Sequence, residues 1–198
     1  MAQRKSCIKY SQFRFDAGSL ALNFVATVRH RGSQPSDLLS EPDALLQWFQ
    51  FAGLIQSPVN LFWKDQEKAC LFREAVYRMV KAFILNKKPD GEDIALINRA
   101  ARYPMAVPQI NADSLCLEWE ISDPVKACLS FIARDAIMLI GNKDKNRLKI
   151  CDCDSCQMLF ADMSPSNRRR WCSMSICGNR QKVALHRQRK SMADQLQD

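Results

Sequence analysis

Histidine is scarce in this chain: His30 and His186 are the only two among 198 residues. Histidine-based acid–base chemistry therefore has few candidates. The sequence contains no Walker loop, no Gly-x-Ser-x-Gly elbow and no His-Glu-x-x-His pair. A non-enzyme is expected. Long apolar runs are missing too: none approaches the ~18 residues that span a bilayer, and the opening Met1–Cys7 leads into no signal-peptide core. These absences predict a soluble, cytoplasmic chain with no membrane partner. Acid is absent locally, since no Asp or Glu falls between Met163 and Ala193 while basic residues recur there. Repeats and low-complexity stretches are also missing. With 47% hydrophobic and 25% charged residues, the balance is that of a globular protein, not a disordered or fibrous one.

The charge is uneven. Against a formal net charge of +8, residues 143–198 hold 12 basic and 6 acidic side chains. Such polarity points to a polyanion partner. The nine cysteines divide as well. Cys7, Cys70, Cys116 and Cys128 are scattered through apolar surroundings and read as core filling. Cys151, Cys153, Cys156, Cys172 and Cys177 crowd into one short stretch and read as a metal site.

Periodicity predicts a short strand over Phe13–Phe15, then a helix placing Leu20, Phe24, Thr27 and Val28 on one face. Ser40 reads as the cap of a helix that carries Leu45, Leu46, Trp48 and Phe49 and stops at Gly53. A longer helix follows over Asp65–Leu85. Its stripe is Phe72, Val76, Met79, Val80 and Phe83, with Arg73, Glu74, Arg78 and Lys81 outside. Asp90 caps a helix through Ala101. Leu115, Leu117, Trp119 and Ile121 alternate as a half-buried strand, paired in a hairpin with 106–110. Asp123-Pro124 opens a helix closed by Gly141-Asn142, burying Ala127, Phe131, Ala136, Ile137 and Ile140. Lys143–Asn146 reads as a linker. The expected fold class is α+β: a helix-rich domain with a small antiparallel sheet over residues 8–142, then a small treble-clef-like finger over 147–193.

Cys151-x4-Cys156 and Cys172-x4-Cys177 can supply four thiolates to one tetrahedral zinc, and local pairs keep the loop-closure cost low. Cys153-x2-Cys156 is an alternative first pair, so Cys151 and Cys153 compete for one place. Met158–Phe160 reads as a strand returning through Arg169-Arg170-Trp171, and the second pair opens a helix. So short a segment buries little core, and a structural ion would explain its folding. Past Cys177 the chain turns basic. Lys182, His186 and Arg189 share one helical face, Arg180 and Arg187 lie on another, and Lys190 ends the run. Arg168, Arg169 and Arg170 add a second basic segment. Zinc with four thiolates contributes −2, yet the segment stays basic. Arginine-rich helices grip phosphates and can read guanine in a major groove.

The stretch Cys151–Lys190 resembles the CGNR zinc finger, seen here in Cys177-Gly178-Asn179-Arg180. The likeness extends to Leu159-Phe160-x-Asp162, Arg169-Arg170-Trp171-Cys172-Ser173-Met174 and His186-Arg187-x-Arg189. It favours Cys151 over Cys153 as the first ligand. Gly18-x-Leu20-Ala21-Leu22-x-Phe24-Val25, Asp37-Leu38-Leu39, Trp48 and Gly53-Leu54 resemble the ABATE domain that precedes this finger. The resemblance implies a bacterial, stress-responsive transcription regulator in which the finger binds DNA and the larger domain senses or assembles. Where the family's first helix carries an Asp and an Asn, this chain has Asn23 and Ala26, with Thr27 retained. Asn23 and Thr27 are thus the candidate effector positions, for an effector not identified. An RNA- or ribosome-associated protein and a protein-interaction adaptor are the alternatives. A homodimer would suit an operator with two half-sites, although no sustained heptad supports one.

Overall fold

The computed structural model describes residues 13–41, 43–55, 59, 61–104, 107–120, 122–141, 145–184 and 187. In chain order the elements are α1 (Leu20–Val25), β1 (Val28–Arg29), β2 (Ser36–Asp37), α2 (Ala44–Phe51), α3 (Trp63–Ile84) and α4 (Gly91–Ala101). They continue with β3 (Val107–Ile110), β4 (Leu117–Glu120), α5 (Pro124–Gly141), β5 (Leu148–Ile150) and β6 (Leu159–Ala161). A π-helical turn, Met174–Gly178, runs on as helix through residue 184. The strands form three separate antiparallel pairs, β1–β2, β3–β4 and β5–β6. The class is α+β, dominated by helix. No described helix is long and apolar enough to cross a membrane.

Helices α3, α4 and α5 pack on one another because each presents one apolar face. Phe72, Val76 and Val80 of α3, Ile97 of α4 and Ile132, Ala133 and Ala136 of α5 are buried together. Polar ties fix the helix ends. Asp90 accepts from the amides of Glu92 and Asp93 at the start of α4, as an N-cap acid does. Arg134 of α5 donates to the carbonyls of Ala101 and Tyr103 just past α4, filling acceptors that the helix end leaves open. Asp135 of α5 accepts from the Ala21 amide at 2.7 Å and so holds the start of α1.

Several local expectations needed revision. Residues 13–15 form no strand; Phe13 is buried and Phe15 stacks on Trp48 at 5.8 Å. Helix α1 ends at Val25, and Val28 pairs with Asp37 as strand instead. Ser40 does not cap α2; its hydroxyl donates to the Asp37 carbonyl, and Asp43 stands at the N-cap in a left-handed conformation without a side-chain bond. Arg73, expected on the outer face of α3, is 2% exposed, because its charge is met inside. The β3–β4 hairpin exists, but Leu115 and Leu117, expected on its buried face, are exposed, as are Val107 and Ile110 of β3. Ile137 is likewise exposed on α5. β6 pairs with the upstream segment 148–150, not with Arg169–Trp171. Pro42, Ala106, Ile121 and residues 142–144 of the expected linker lie outside the described residues.

The cysteine-bearing segment is docked on the helical body. Leu148, Met158, Leu159, Phe160 and Ala161 belong to the same buried cluster as Phe24, Phe72 and Val76. The Ala161 amide donates to the Ala17 carbonyl at 2.8 Å. Gly18 (φ +96) allows this approach, since a Cβ there would stand 2.9 Å from the Ala161 side chain. Gly32, in the β1–β2 loop, meets the Asp154 carbonyl so closely that a Cβ would fall 1.7 Å from its oxygen. Only glycine fits there.

Candidate metal centre

Cys151 directly follows β5, and its amide donates to the Met158 carbonyl. The turn between them is closed by the Cys156 and Gln157 amides, both donating to the Cys153 carbonyl. Of the second pair, Cys172 precedes the π-helical turn and Cys177 lies within it, where Ser173 Oγ accepts from the Ile176 amide and the Ser173 carbonyl from the Cys177 amide. These two turns bring the sulfurs of Cys151, Cys156, Cys172 and Cys177 within 4.8 Å of one another. Cys172 Sγ lies 3.8 Å from Cys156 Sγ and 3.6 Å from Cys177 Sγ. A tetrahedron with zinc–sulfur bonds of about 2.3 Å separates its sulfurs by about 3.8 Å. The four cysteines fit one structural zinc, with every ligand place taken by protein. Cys153 is buried outside the cluster, its sulfur 3.5 Å from the Ser155 hydroxyl. Geometry thus selects Cys151 over Cys153.

Two further bonds reach the sulfurs. The Cys172 amide donates to Cys151 Sγ at 3.4 Å. Arg14, from a segment 158 residues away in sequence, donates to Cys172 Sγ at 3.3 Å. The Arg14 charge and hydrogen bond favour the Cys172 thiolate that zinc requires. Asp16 in turn holds the Arg14 guanidinium through two bonds, at 2.8 and 2.6 Å. Sequence reading missed Arg14, since only the fold brings it to the cysteines. Outer partners of this kind tune metal affinity by roughly 10–100-fold. Arg14→Gln is therefore expected to weaken zinc binding by a factor in that range, measured by competition with a chromophoric chelator, and Arg14→Lys should recover part of it. Unchanged affinity in Arg14→Gln would show that the bond does nothing for the metal.

Asp162, within the resembling motif, is fully buried. It accepts from Lys149 Nζ at 2.9 Å and from the amides of Ser164 and Arg169. Burial alone would raise its pKa, but Lys149 and the loop donors outweigh this and hold the carboxyl far below the usual range. Lys149 also donates to the carbonyls of Asn167 and Arg169. This pair pins the loop between the two cysteine turns.

The basic side chains differ in their surroundings. Arg168, Arg170, Arg180, Lys182 and Arg187 are exposed. Arg170 pairs with Asp152 at 2.7 Å, and Arg180 donates to Ser155 Oγ at 3.2 Å. Arg169 is half-buried, bonded to the Cys172 carbonyl and lying over the Phe160 ring. His186, Arg189 and Lys190 lie outside the described residues. The two candidate effector positions have structural tasks. Asn23 Oδ1 accepts from the Ala17 amide. Thr27 is buried, donates to the Phe24 carbonyl and accepts from Arg73. Neither lines the cavity bounded by Phe15, Val28, Met158 and Ile176 or the one bounded by Ser164, Arg168, Arg170 and Met174.

Compared with protein-family models, residues 147–190 match the CGNR zinc finger. Residues 18–143 match the ABATE model, described as "putative stress-induced transcription regulator". Neither description names an enzyme. A search of curated proteins finds no match.

Proposed function

The chain belongs to the ABATE family and carries a CGNR zinc finger, and from that premise we propose that it is a zinc-dependent, DNA-binding transcription regulator of the bacterial cytoplasm. The finger contacts duplex DNA, and the helical body senses an effector or assembles the protein. The observation that carries this reading is the cationic surface around the zinc site. Arg168, Arg170, Arg180, Lys182 and Arg187 are exposed there, and no acid interrupts the sequence from Met163 to Ala193. His186, Arg189 and Lys190 extend the same basic run. Arg169 has a different task, bracing the segment from within.

Duplex DNA is favoured over single-stranded RNA by the aromatic inventory. Single strands are gripped by stacking on exposed rings. In the finger, Phe160 is fully buried and Trp171 is half-buried beside Cys172.

The test is fluorescence anisotropy of zinc-loaded full-length protein with mixed-sequence duplex DNA and single-stranded RNA, at several salt concentrations. Duplex binding should weaken with salt. Arg168→Ala/Arg187→Ala should lower the log–log salt slope by about 2, at roughly 0.9 per phosphate contact. Preference for RNA would favour the ribosome-linked alternative, and binding to neither would favour an adaptor for an acidic protein. An unchanged slope in the double variant would remove these arginines from the interface.

A further inference from the structure

Two hydrogen-bonding groups in the finger stand out because nothing answers them. Ser164 Oγ and the Trp171 indole Nε1 are buried without a hydrogen-bond partner. Such groups have lost their hydration with no bond in return, and native proteins keep few of them. Both residues line one cavity of about 370 Å3. Ser166, residues 168–170 and Met174 complete its lining, and no acid or cysteine takes part.

The guanidiniums there differ in what they are free to do. Arg169 is committed to the Cys172 carbonyl and the Phe160 ring. Arg170 is held by Asp152 in a pair open to water, with side chains 68% and 44% exposed, and such a pair is weak enough to exchange. Arg168 is exposed and has no bonding partner among the described residues. The loop that carries these groups is already fixed. Asp162 accepts from the Ser164 and Arg169 amides, Arg147 donates to the Ser164 carbonyl, and Lys149 donates to the Asn167 carbonyl. Groups held in place beforehand lose little freedom on binding. The rest of the lining is apolar. Trp171 stands with Met174, which is 51% exposed. Gly178 leaves them room, since a Cβ there would come 2.5 Å from Met174 Sδ and 3.4 Å from the Trp171 ring.

We propose that this cavity holds one phosphodiester of the DNA backbone, its oxygens bonded by Arg168, Ser164 Oγ and Trp171 Nε1, and its deoxyribose against Met174 and the Trp171 ring. The inference deepens the DNA-binding reading and rests on it. Donors of three kinds, with no acid among them, select an anion. A phosphate with its sugar fits the volume and the apolar wall better than a carboxylate does. Arg168 and Met174 are long and open to water, so they can give way and let the two covered donors meet the ligand. Ser164 and Trp171 thereby become phosphate contacts that carry no charge, beside the arginines that do.

Ser164→Ala is the decisive variant, because folding and binding should respond differently. The hydroxyl has no partner, so its loss should leave zinc content unchanged and keep or raise the midpoint of urea unfolding. Duplex affinity, by anisotropy of zinc-loaded full-length protein at fixed salt, should nonetheless fall about fivefold, the scale of one hydrogen bond. The salt slope should stay, since no charge is lost, whereas Arg168→Gln should lower both affinity and slope. The double variant should lose less than the product of the single losses, as for two groups on one phosphate. A second readout needs no DNA. The Trp171 indole N–H signal, identified by its disappearance in Trp171→Phe, should move downfield with inorganic phosphate and with duplex, and stay in place with poly-glutamate. Duplex binding that ignores Ser164→Ala and leaves this signal unmoved would overturn the proposal and spare the DNA-binding reading. A signal moved by inorganic phosphate but not by bound duplex would give the cavity to a small phosphorylated ligand. One moved equally by poly-glutamate would give it to an acidic protein, and either result overturns the proposal. Absence of duplex binding in the unsubstituted protein removes the DNA-binding reading and this one together, and anisotropy alone reports it.

Discussion

Removing zinc by chelation, or replacing Cys172 with Ser, is expected to unfold residues 148–184 while α3, α4 and α5 keep their helical content. The asymmetry follows from what each part buries. The three helices share a core of Phe72, Val76, Val80, Ile97 and Ile132 and touch one another more extensively than any of them touches the finger's strands. The described finger has two three-residue strands and one short helix that begins as a π-turn, too little regular structure to stand without a cross-link. Four-thiolate zinc supplies an apparent 10–16 kcal/mol at neutral pH in small fingers, more than the stability of many whole domains. Backbone amide exchange of the zinc-loaded and chelated protein measures the effect. Protection of β5 and β6 should collapse on chelation and return when zinc is restored. Phe13–Ala17 should loosen with them, because Arg14 and the Ala17 carbonyl hold on to Cys172 and Ala161. Cys153→Ala should keep one zinc and normal protection, since Cys153 stands outside the cluster. Strands that stay protected without metal would show the ion to be dispensable for folding.

The chemistry of the site was legible because it is written locally. Two Cys-x4-Cys spacings fall on two tight turns, and the turns set the sulfurs at bonding separation. Amphipathic stripes were legible for the same reason in α3, α4 and α5, where local periodicity and packing agree. Charge far away in sequence was not legible. A guanidinium on a helix belongs outside unless partners meet it inside, and the partner of Arg73 is 36 residues upstream. Arg14 is the same case at greater distance. The β6 pairing failed for a related reason. Arg169–Trp171 was the only strand expected beside it, but residues 148–150 take that place, and Lys149 bonds the buried Asp162 from there. A cavity between two units, each made from distant segments, has no local signature at all.

The cluster around Arg73 carries the second large effect, with an order among variants that a simple count of bonds would reverse. Arg73 donates twice to Asp37, at 2.7 Å each, once to Thr27 and once to Glu74. Glu74 in turn holds Arg31 at 2.8 and 2.9 Å. The β1–β2 loop, with Gly32 against the zinc-binding turn, is thereby fixed to α3. The Arg73 side chain is 3% exposed, but that of Asp37 is 37%. Asp37→Asn keeps the shape and the acceptor for the Leu39 amide, yet leaves a buried cation with one carboxylate fewer; breaking a buried pair in this way costs about 3 kcal/mol. Arg73→Met removes the buried charge itself, and the carboxylates it abandons can rehydrate, so its cost should be nearer 1–2 kcal/mol. Adding Arg73→Met to Asp37→Asn should restore stability in urea unfolding of the zinc-loaded protein. A larger loss from Arg73→Met than from Asp37→Asn would contradict this account. The pH dependence follows from the same contacts. Burial raises the pKa of Asp37 and Glu74, but bonding to Arg73 for the first and to Arg31 and Arg73 for the second prevails and lowers both. Their contribution is fully present above the unfolded values of about 3.9 and 4.3. It disappears as pH falls through the lower folded values. Arg73→Met returns both groups toward their ordinary range, so the stability gap between wild type and variant should narrow as the solution is acidified below about pH 4.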